Sequence, residues 1–305
     1  MNKPSPWRIT IMLLIGITGV SLAAIWIRLA IDAVVVDNKV GFSLFVAASR
    51  LIIAAVIILP TRKNLQLSQI QLSKSDSGVY YAIAAGICLA AHFATWTTSL
   101  AFTSIAASTV LVTTNPIWVG LFSWWWYREK LSYKGVIAIL MALVGGVVIA
   151  LANGNGDVSY ANPILGNSLA LIGAIMSSLY IIFGSQAQQR GLNTGNYVAI
   201  AYSTAAICLL PLPLLYDTSY LGYPPSVYVY VFLMAIMSQV IGHTSLNWSV
   251  RWISATLISL SLLMEPVVAS FLGAIIFNEI PSGKVLLGSV IILGAIALFL
   301  NSEPV

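Results

Sequence analysis

Apolar stretches of about twenty residues recur along the whole chain and limit what it can fold into, because that is the length a helix needs to cross the hydrocarbon core of a bilayer. Only 8% of the 305 residues are charged, whereas a soluble domain carries about 25%. The chain is therefore predicted to be an all-α integral membrane protein. Ten transmembrane helices are expected, at residues 9–31, 42–60, 79–101, 104–127, 134–152, 164–185, 197–216, 226–247, 254–278 and 284–301.

The first span follows Lys3 and Arg8, but its apolar part is too long for the core of a signal peptide, so an uncleaved helix is expected. Cys88 and Cys208 each fall inside a predicted helix and give neither a disulfide framework nor metal-site spacing. The net charge of +5 does not indicate nucleic acid, because no domain is predicted outside the membrane.

Lysine and arginine residues are distributed unevenly between the two sides of the predicted membrane. The odd-numbered loops hold only Lys39 and Lys284, with Arg28 at a helix end. The N-terminus and the even-numbered loops hold Lys3, Arg8, Arg62, Lys63, Lys74, Arg128, Lys130, Lys134, Arg190 and Arg251. Because positive residues are enriched on the cytoplasmic side, both termini are predicted to be cytoplasmic in a multi-pass protein of the inner (plasma) membrane.

The sequence also contains an internal repeat. A shift of 150 residues aligns 103–134 with 253–284 and matches Ser104 with Ser254, Pro116 with Pro266, Glu129 with Glu279, Ser132 with Ser282 and Lys134 with Lys284. Two five-helix halves are predicted, at 1–152 and 164–305, joined by an extracytoplasmic linker at 153–163. Because five is odd, the second half enters the membrane inverted, as in transporters that work by alternating access.

Three segments resemble a known family: "FSLFVAASRLIIAAVIILP" in helix two, "AFTSIAASTVLVTTNPIWVGLFSWWWYREKLS" in helix four and its repeat "WISATLISLSLLMEPVVASFLGAIIFNEIPS". They are similar to the EamA-type family of the drug/metabolite transporter superfamily. The resemblance implies a ten-helix inverted repeat that exports or exchanges small organic metabolites, often amino acids or related compounds. Glu129 and Glu279 keep the loop glutamate of that pattern, but the resemblance assigns no role to Glu265 or Asn115.

Glu265 lies in the middle of the ninth span, directly before Pro266, and the repeat places it opposite Asn115. A carboxylate in hydrocarbon costs several kcal/mol unless it faces a partner or a wet cavity. We therefore expect Glu265 to be a substrate-path residue, with interhelical hydrogen bonding as the alternative. Pro116 and Pro266 are expected to kink their helices, because proline lacks the backbone N–H.

Arg50, halfway along the second span, is the expected counter-charge to Glu265. A guanidinium can bind a substrate carboxylate through two parallel hydrogen bonds. The alternatives are a permanent salt bridge or a side chain that extends towards the headgroups.

Polar side chains recur at helical spacing on two spans that the repeat makes equivalent. Helix three carries Cys88, His92, Trp96 and Ser99 on one face, and helix eight carries Gln239, His243 and Asn247. Such faces need protein or water as neighbours, so one midplane cavity is predicted between them, with Tyr180 as a further wall residue. Each histidine taken alone is as well explained as a buried, hydrogen-bonded side chain.

The residues together predict a secondary transporter of a small organic metabolite, with amino-acid-like substrates slightly favoured because Arg50 and Glu265 suit a carboxylate and an amine. The alternatives are a drug or nucleotide-sugar transporter, or a passive channel. No cofactor or metal is expected, and the expected partners are the substrate, protons if transport is coupled, and the lipid bilayer. The chain is expected to act as a monomer or a homodimer.

A membrane enzyme is disfavoured. No H-E-x-x-H motif, nucleophile elbow or phosphate-binding glycine loop occurs in the sequence. The segments "GNGD" and "YD" resemble the motifs of intramembrane aspartyl proteases, but Asp157 and Asp217 fall in predicted outer loops rather than at membrane depth.

The predicted orientation can be tested with single introduced cysteines and an impermeant thiol reagent applied outside intact cells. Cysteines at 153–163 should be labelled, and cysteines at 62–74 should be protected, because the first group faces out and the second faces the cytoplasm. Labelling of 62–74 with protection of 153–163 would contradict both the orientation and the inverted repeat.

Overall fold

The structure is a computed structural model that describes residues 4–35, 37–61, 77–103, 105–128, 132–152, 162–278 and 281–301. Within these ranges every regular element is helical. The helices are α1 (Pro6–Asp32), α2 (Lys39–Ile58), α3 (Ser77–Ser99), α4 (Ile105–Val112), α5 (Asn115–Tyr127), α6 (Tyr133–Ala152), α7 (Pro163–Gln189), α8 (Thr194–Leu209), α9 (Leu212–Leu215), α10 (Pro225–Met234), a π-helix (Ala235–His243), α11 (Thr244–Ser249), α12 (Ala255–Leu262), α13 (Glu265–Phe277) and α14 (Gly283–Leu300), with a 3₁₀ turn at Leu59–Thr61.

All ten predicted spans coincide with helical segments that end within a few residues of the expected positions. In the described part of the chain, eight continuous or nearly continuous helical segments are long and apolar enough to cross a membrane. The predicted loop at 62–74, residues 153–161 of the predicted linker, and Glu129 and Glu279 lie outside the described residues.

Short polar side chains begin several of these helices. Asn38, Asn162, Asn193, Ser254 and Ser282 each accept a hydrogen bond from the backbone N–H three residues later. This bond satisfies one of the four N–H groups that lack a partner at the start of a helix. The caps mark where the apolar spans leave the membrane interior.

Two spans are interrupted rather than kinked. Two residues separate α4 from α5 and α12 from α13. Pro116 and Pro266 lie in the first turn of the helix that restarts, where a proline's missing N–H would have no helical partner in any case. The expected kinks are thus breaks, and the second break is closed by a tight turn in which Met264 N donates to Ser261 O over 3.0 Å.

The internal repeat extends from the sequence to the backbone. Helices α12 and α13 begin and end 150 residues after α4 and α5. The residues that follow α5 and α13, Arg128 and Asn278, both adopt left-handed conformations with φ of 55° and 58°. The later helices α6 and α14 pack antiparallel, since a Cβ built on Gly135, early in α6, would lie 3.5 Å from Phe299, late in α14.

The interior is formed by helices from both halves. Helix α3 packs along α7, and α1 packs along the span formed by α10, the π-helix and α11. The largest buried cluster lies among α2, α3, α7 and α8 and includes Leu51, Leu89, Phe93, Tyr197 and Tyr202. Cys88 is buried in the same cluster, whereas Cys208 is exposed on α8.

A nine-residue π-helix in the eighth span was not predicted. Its Gly242 lies so close to α1 that a Cβ there would be 2.8 Å from Val20 N and 2.9 Å from Gly19 C. Glycine permits this approach of two backbones because it has no side chain. The π-helix carries Gln239 and His243, two of the predicted site residues of the eighth span.

Two glycines of α14 provide a matched test of the α6–α14 packing. A Cβ at Gly288 would lie 2.6 Å from Gly145 O, whereas a Cβ at Gly294 would meet nothing within 4 Å. We expect Gly288→Ala to destabilise the detergent-solubilised protein by about 1–3 kcal/mol, the usual cost of overpacking. Gly294→Ala should leave the melting temperature unchanged or slightly raised. Equal melting temperatures for the two variants would contradict the close packing.

Candidate functional site

A small cavity lies between residues of the first and second halves of the chain. It offers about 30 Å³ to the centres of water-sized molecules. Four residues predicted to form a site, His92, Tyr180, His243 and Asn247, line it. The remaining lining residues are Leu89, Ser177, Ile181, Leu246, Val250, Ile258 and Leu262.

Asn247 is the centre of a hydrogen-bond network in the cavity wall. Its Nδ2 lies 2.6 Å from Tyr180 Oη and 3.3 Å from Tyr202 Oη. Gln188 Nε2 donates to Asn247 O over 2.7 Å, and Tyr202 Oη donates to Gln239 O over 3.3 Å. The network joins α7, α8, the π-helix and α11, so a movement of any one of these helices changes the contacts of the Asn247 network in the cavity wall.

The two histidines contribute ring faces and edges to the same wall. His92 Nδ1 lies 2.9 Å from Gly173 O, and Nδ1 must carry the hydrogen because a carbonyl only accepts. The His92 ring stacks on Trp96 with centroids 5.8 Å apart and planes 5° apart. His243 meets the rings of Phe93 and Tyr180 edge to face, at 5.9 and 6.4 Å.

Arg50 is buried outside the cavity lining, with 3% of its surface exposed. Its Nε donates to Gln239 Oε1 over 2.9 Å, and its guanidinium carbon lies 4.2 Å from the centroid of the Phe93 ring. Arg50 Nη2 and Gln239 Nε2 are both buried and have no hydrogen-bond partner among the described residues. Phe93 also contacts His92 and His243, so its ring lies between the guanidinium and the cavity histidines.

Glu265 is the first residue of α13 and is half-buried. Its backbone oxygen accepts a hydrogen bond from Ser21 Oγ over 3.2 Å. Among the described side chains, no ion pair within 4 Å joins Glu265 to Arg50, so the predicted pairing is not formed in this conformation.

Asn115 occupies the position in α5 that is equivalent to Glu265 and is buried. Its side-chain amide lies 3.3 Å from Ser177 Oγ, a cavity-lining hydroxyl, and its backbone oxygen accepts from Ser178 Oγ over 3.2 Å. Asn115 is therefore one side chain away from the cavity.

The predicted site residues thus fall into two groups, those that line the cavity and those that do not. His92, Tyr180, His243 and Asn247 line the cavity, while Arg50, Trp96, Asn115, Gln239 and Glu265 do not. Sequence reasoning missed Ser177, Gln188 and Tyr202. The polar positions of α7 were a usable signal for the first two, and Tyr202, which is followed by Ser203 and Thr204 in α8, offered a signal that was not used.

Metal binding has no support within the described ranges, where no group of three or more His, Cys, Asp or Glu side chains could hold an ion. The aromatic run Trp124, Trp125 and Trp126 lies exposed at the end of α5, away from the cavity, as expected for side chains at the headgroup level.

Comparison with known proteins places the chain among transporters. An uncharacterized transporter of Clostridium kluyveri is 24% identical over 261 residues, which cover 83% of this chain and 82% of that protein. An uncharacterized transporter of Archaeoglobus fulgidus is 28% identical over 200 residues, covering 63% and 68%. The uncharacterized transporter YdfC of Bacillus subtilis is 25% identical over 198 residues, covering 63% and 61%.

A solved structure described only as "Crystal structure of protein" shares the fold. It superposes with a TM-score of 0.76 over 97% of this chain and 98% of the other, at 18% sequence identity. The EamA-like transporter family matches residues 7–151 and 164–301. Because these matches cover nearly the whole chain, this multi-pass membrane protein belongs to the EamA-like transporter family.

Proposed function

We propose that the protein is a secondary transporter that carries a small organic metabolite across the membrane by alternating access. The observation that carries the proposal is the small cavity walled by Tyr180, Asn247 and the two histidines, with residues from both halves of the chain in its lining. Ligand sites in helical bundles have this character, with a few fixed polar groups among apolar and aromatic walls.

We further propose that 1–152 and 164–305 form inverted repeats joined by an extracytoplasmic linker at 153–163. The proposal is supported by the recurrence of helix breaks 150 residues apart and by the antiparallel packing of α6 and α14. It is also supported by the two family matches, one in each segment. Both termini are then cytoplasmic, in the inner (plasma) membrane.

Alternating access is favoured because the cavity is too small for an amino-acid-sized solute as it stands. About 30 Å³ for the centres of water-sized molecules is room for a few waters. A metabolite therefore requires the surrounding helices to separate. The turns before α5 and α13 interrupt the regular helical hydrogen bonding of their spans, so they are places where such movement can occur, as in the broken helices of other transporters.

An amino-acid-like substrate remains slightly favoured, exported or exchanged with or without protons. Aromatic rings at His92, Trp96 and Tyr180 can cover an apolar side chain, and the basic Arg50 and the acidic Glu265 form no ion pair with each other among the described residues. The alternatives are transport of a drug or a nucleotide sugar, or passive conduction through a channel. No cofactor is needed for any of them, and the functional unit is a monomer or a homodimer.

The direct experiment has two stages. Purified protein is first heated with a metabolite library, because a ligand that binds only the folded state raises the melting temperature. Each ligand found is then followed as radiolabelled substrate in liposomes loaded with unlabelled compound. Saturable counterflow supports the proposal, whereas linear, non-saturating flux of the same compounds would identify a channel.

Trp96 and Asn247 should contribute to substrate affinity rather than to folding. Trp96→Ala removes the stacking partner of His92, and Asn247→Ala removes the donor to Tyr180. We expect at least a tenfold loss of affinity in each, measured by binding to detergent-solubilised protein. The matched control is Trp124→Ala, because Trp124 is 56% exposed at the lipid-facing surface. Unchanged affinity in the first two variants would assign these residues to packing.

Glu265→Gln separates proton coupling from other roles of this carboxyl group. Glutamine keeps the size and hydrogen-bonding ability of glutamate but carries no exchangeable charge. We expect transport in liposomes to lose its pH dependence while substrate exchange survives. Loss of binding at every pH would instead make Glu265 a fixed receptor for an amine. A pH response equal to that of the unmodified protein would show that the carboxyl group takes no part.

A further inference from the structure

The guanidinium of Arg50 is a buried positive charge without an anion in contact. Arg50 is 3% exposed, and the described part of the chain provides no carboxylate oxygen within 4 Å of it. A charge in a low-dielectric interior is costly unless it is paired and hydrogen-bonded. Its surroundings compensate only in part, through one hydrogen bond to Gln239 and the face of Phe93.

The atoms of Arg50 and Gln239 that are buried without a hydrogen-bond partner are both donors. Arg50 Nη2 and Gln239 Nε2 are donors, and both are buried without a partner among the described residues. They belong to side chains already joined by the 2.9 Å bond between Arg50 Nε and Gln239 Oε1, so they lie in the same small region. Two adjacent free donors, one of them cationic, match a group with two acceptor oxygens and a negative charge.

The other titratable groups around Arg50 do not supply that group. His92 and His243 provide no anion, and the hydroxyls of Tyr180 and Tyr202 are engaged by Asn247. Glu265 carries a carboxyl group, but among the described residues no ion pair within 4 Å joins it to Arg50.

We propose that Arg50 and Gln239 together bind the carboxylate of the transported metabolite, which makes the substrate a carboxylic acid. This inference rests on the proposed transport function and names the chemical class of its substrate. The guanidinium provides the charge and a planar pair of donors, and the Gln239 amide provides the next donor.

The route from the cavity to Arg50 leads past Phe93. The Phe93 ring contacts the guanidinium at 4.2 Å and packs against His92 and His243, which line the cavity. Displacement of this ring brings the guanidinium to the cavity wall. The carboxylate therefore binds in a more open conformation than the one described, as alternating access requires.

The decisive variant is Gln239→Glu, which places a permanent carboxylate beside Arg50 at almost unchanged size. If the guanidinium lacks an anion, this variant should melt at a higher temperature than the unmodified protein and bind carboxylate substrates at least tenfold more weakly. The matched control is Gln188→Glu. Gln188 is equally buried, but its amide already donates to Asn247 O and accepts from Thr194 Oγ1, so this variant should melt at a lower temperature.

The ligands are the twenty proteinogenic amino acids and, for each one that binds, its carboxamide and its deaminated acid. We expect the acid to retain measurable binding and counterflow, and the carboxamide to bind at least tenfold more weakly. Arg50→Lys, which keeps the charge but loses the planar fork, should reduce this discrimination between acid and carboxamide.

The outcomes separate the two proposals. Saturable counterflow of compounds without a carboxylate, unchanged in Gln239→Glu and Arg50→Lys, would overturn the carboxylate site and leave the transporter function intact. A Gln239→Glu variant that melts at a lower temperature, as the control does, would also overturn the carboxylate site. Absence of saturable counterflow for the whole amino-acid panel and the metabolite library would overturn both.

Discussion

The hydrocarbon core of the bilayer offers no hydrogen-bond partner, and the whole structure follows from that constraint. Backbone groups are satisfied within helices, so the described spans are helical almost throughout. The surface of the bundle is apolar, as shown by Val56, Leu140 and Ile275, which are all more than half exposed. Among the described residues, polar side chains of the spans such as His92, Tyr180 and Asn247 instead gather around a cavity that has residues of both halves in its lining.

Much of the fold could be predicted because a membrane span has a simple signature of length and apolarity. All ten helical segments were located from that signature, and the interruptions at Pro116 and Pro266 were expected as kinks. The polar faces of α3 and of the eighth span were expected to share a cavity, and the structure places His92, His243 and Asn247 in the lining of one. Each of these predictions depends on residues close together in the sequence, where helical spacing decides which side chains share a face.

The remaining features depend on contacts between distant helices. The partner of Arg50 proved to be Gln239 rather than Glu265, because the relative heights of α2, the π-helix and α13 decide which side chains meet. The π-helix itself has no compositional signature. Tyr202 of α8 contributes a hydroxyl to the Asn247 network, a contact with α11 that the sequence of α8 does not reveal. Charge complementarity suggested Glu265 as the partner of Arg50, but the structure places the neutral amide of Gln239 there.

In the proposed alternating-access mechanism, the small cavity opens in turn to each side of the membrane. Ser177 lines the cavity and lies beside the Asn115 amide, so a cysteine at this position in a variant lacking Cys88 and Cys208 reports on access from both directions. The variant would be reconstituted in liposomes of each orientation and treated with an impermeant thiol reagent from one side. Alternating access predicts that the cysteine is labelled from either side, that bound substrate slows labelling in both cases, and that ions do not leak. Labelling from one side only, in the presence and absence of substrate, would contradict alternating access.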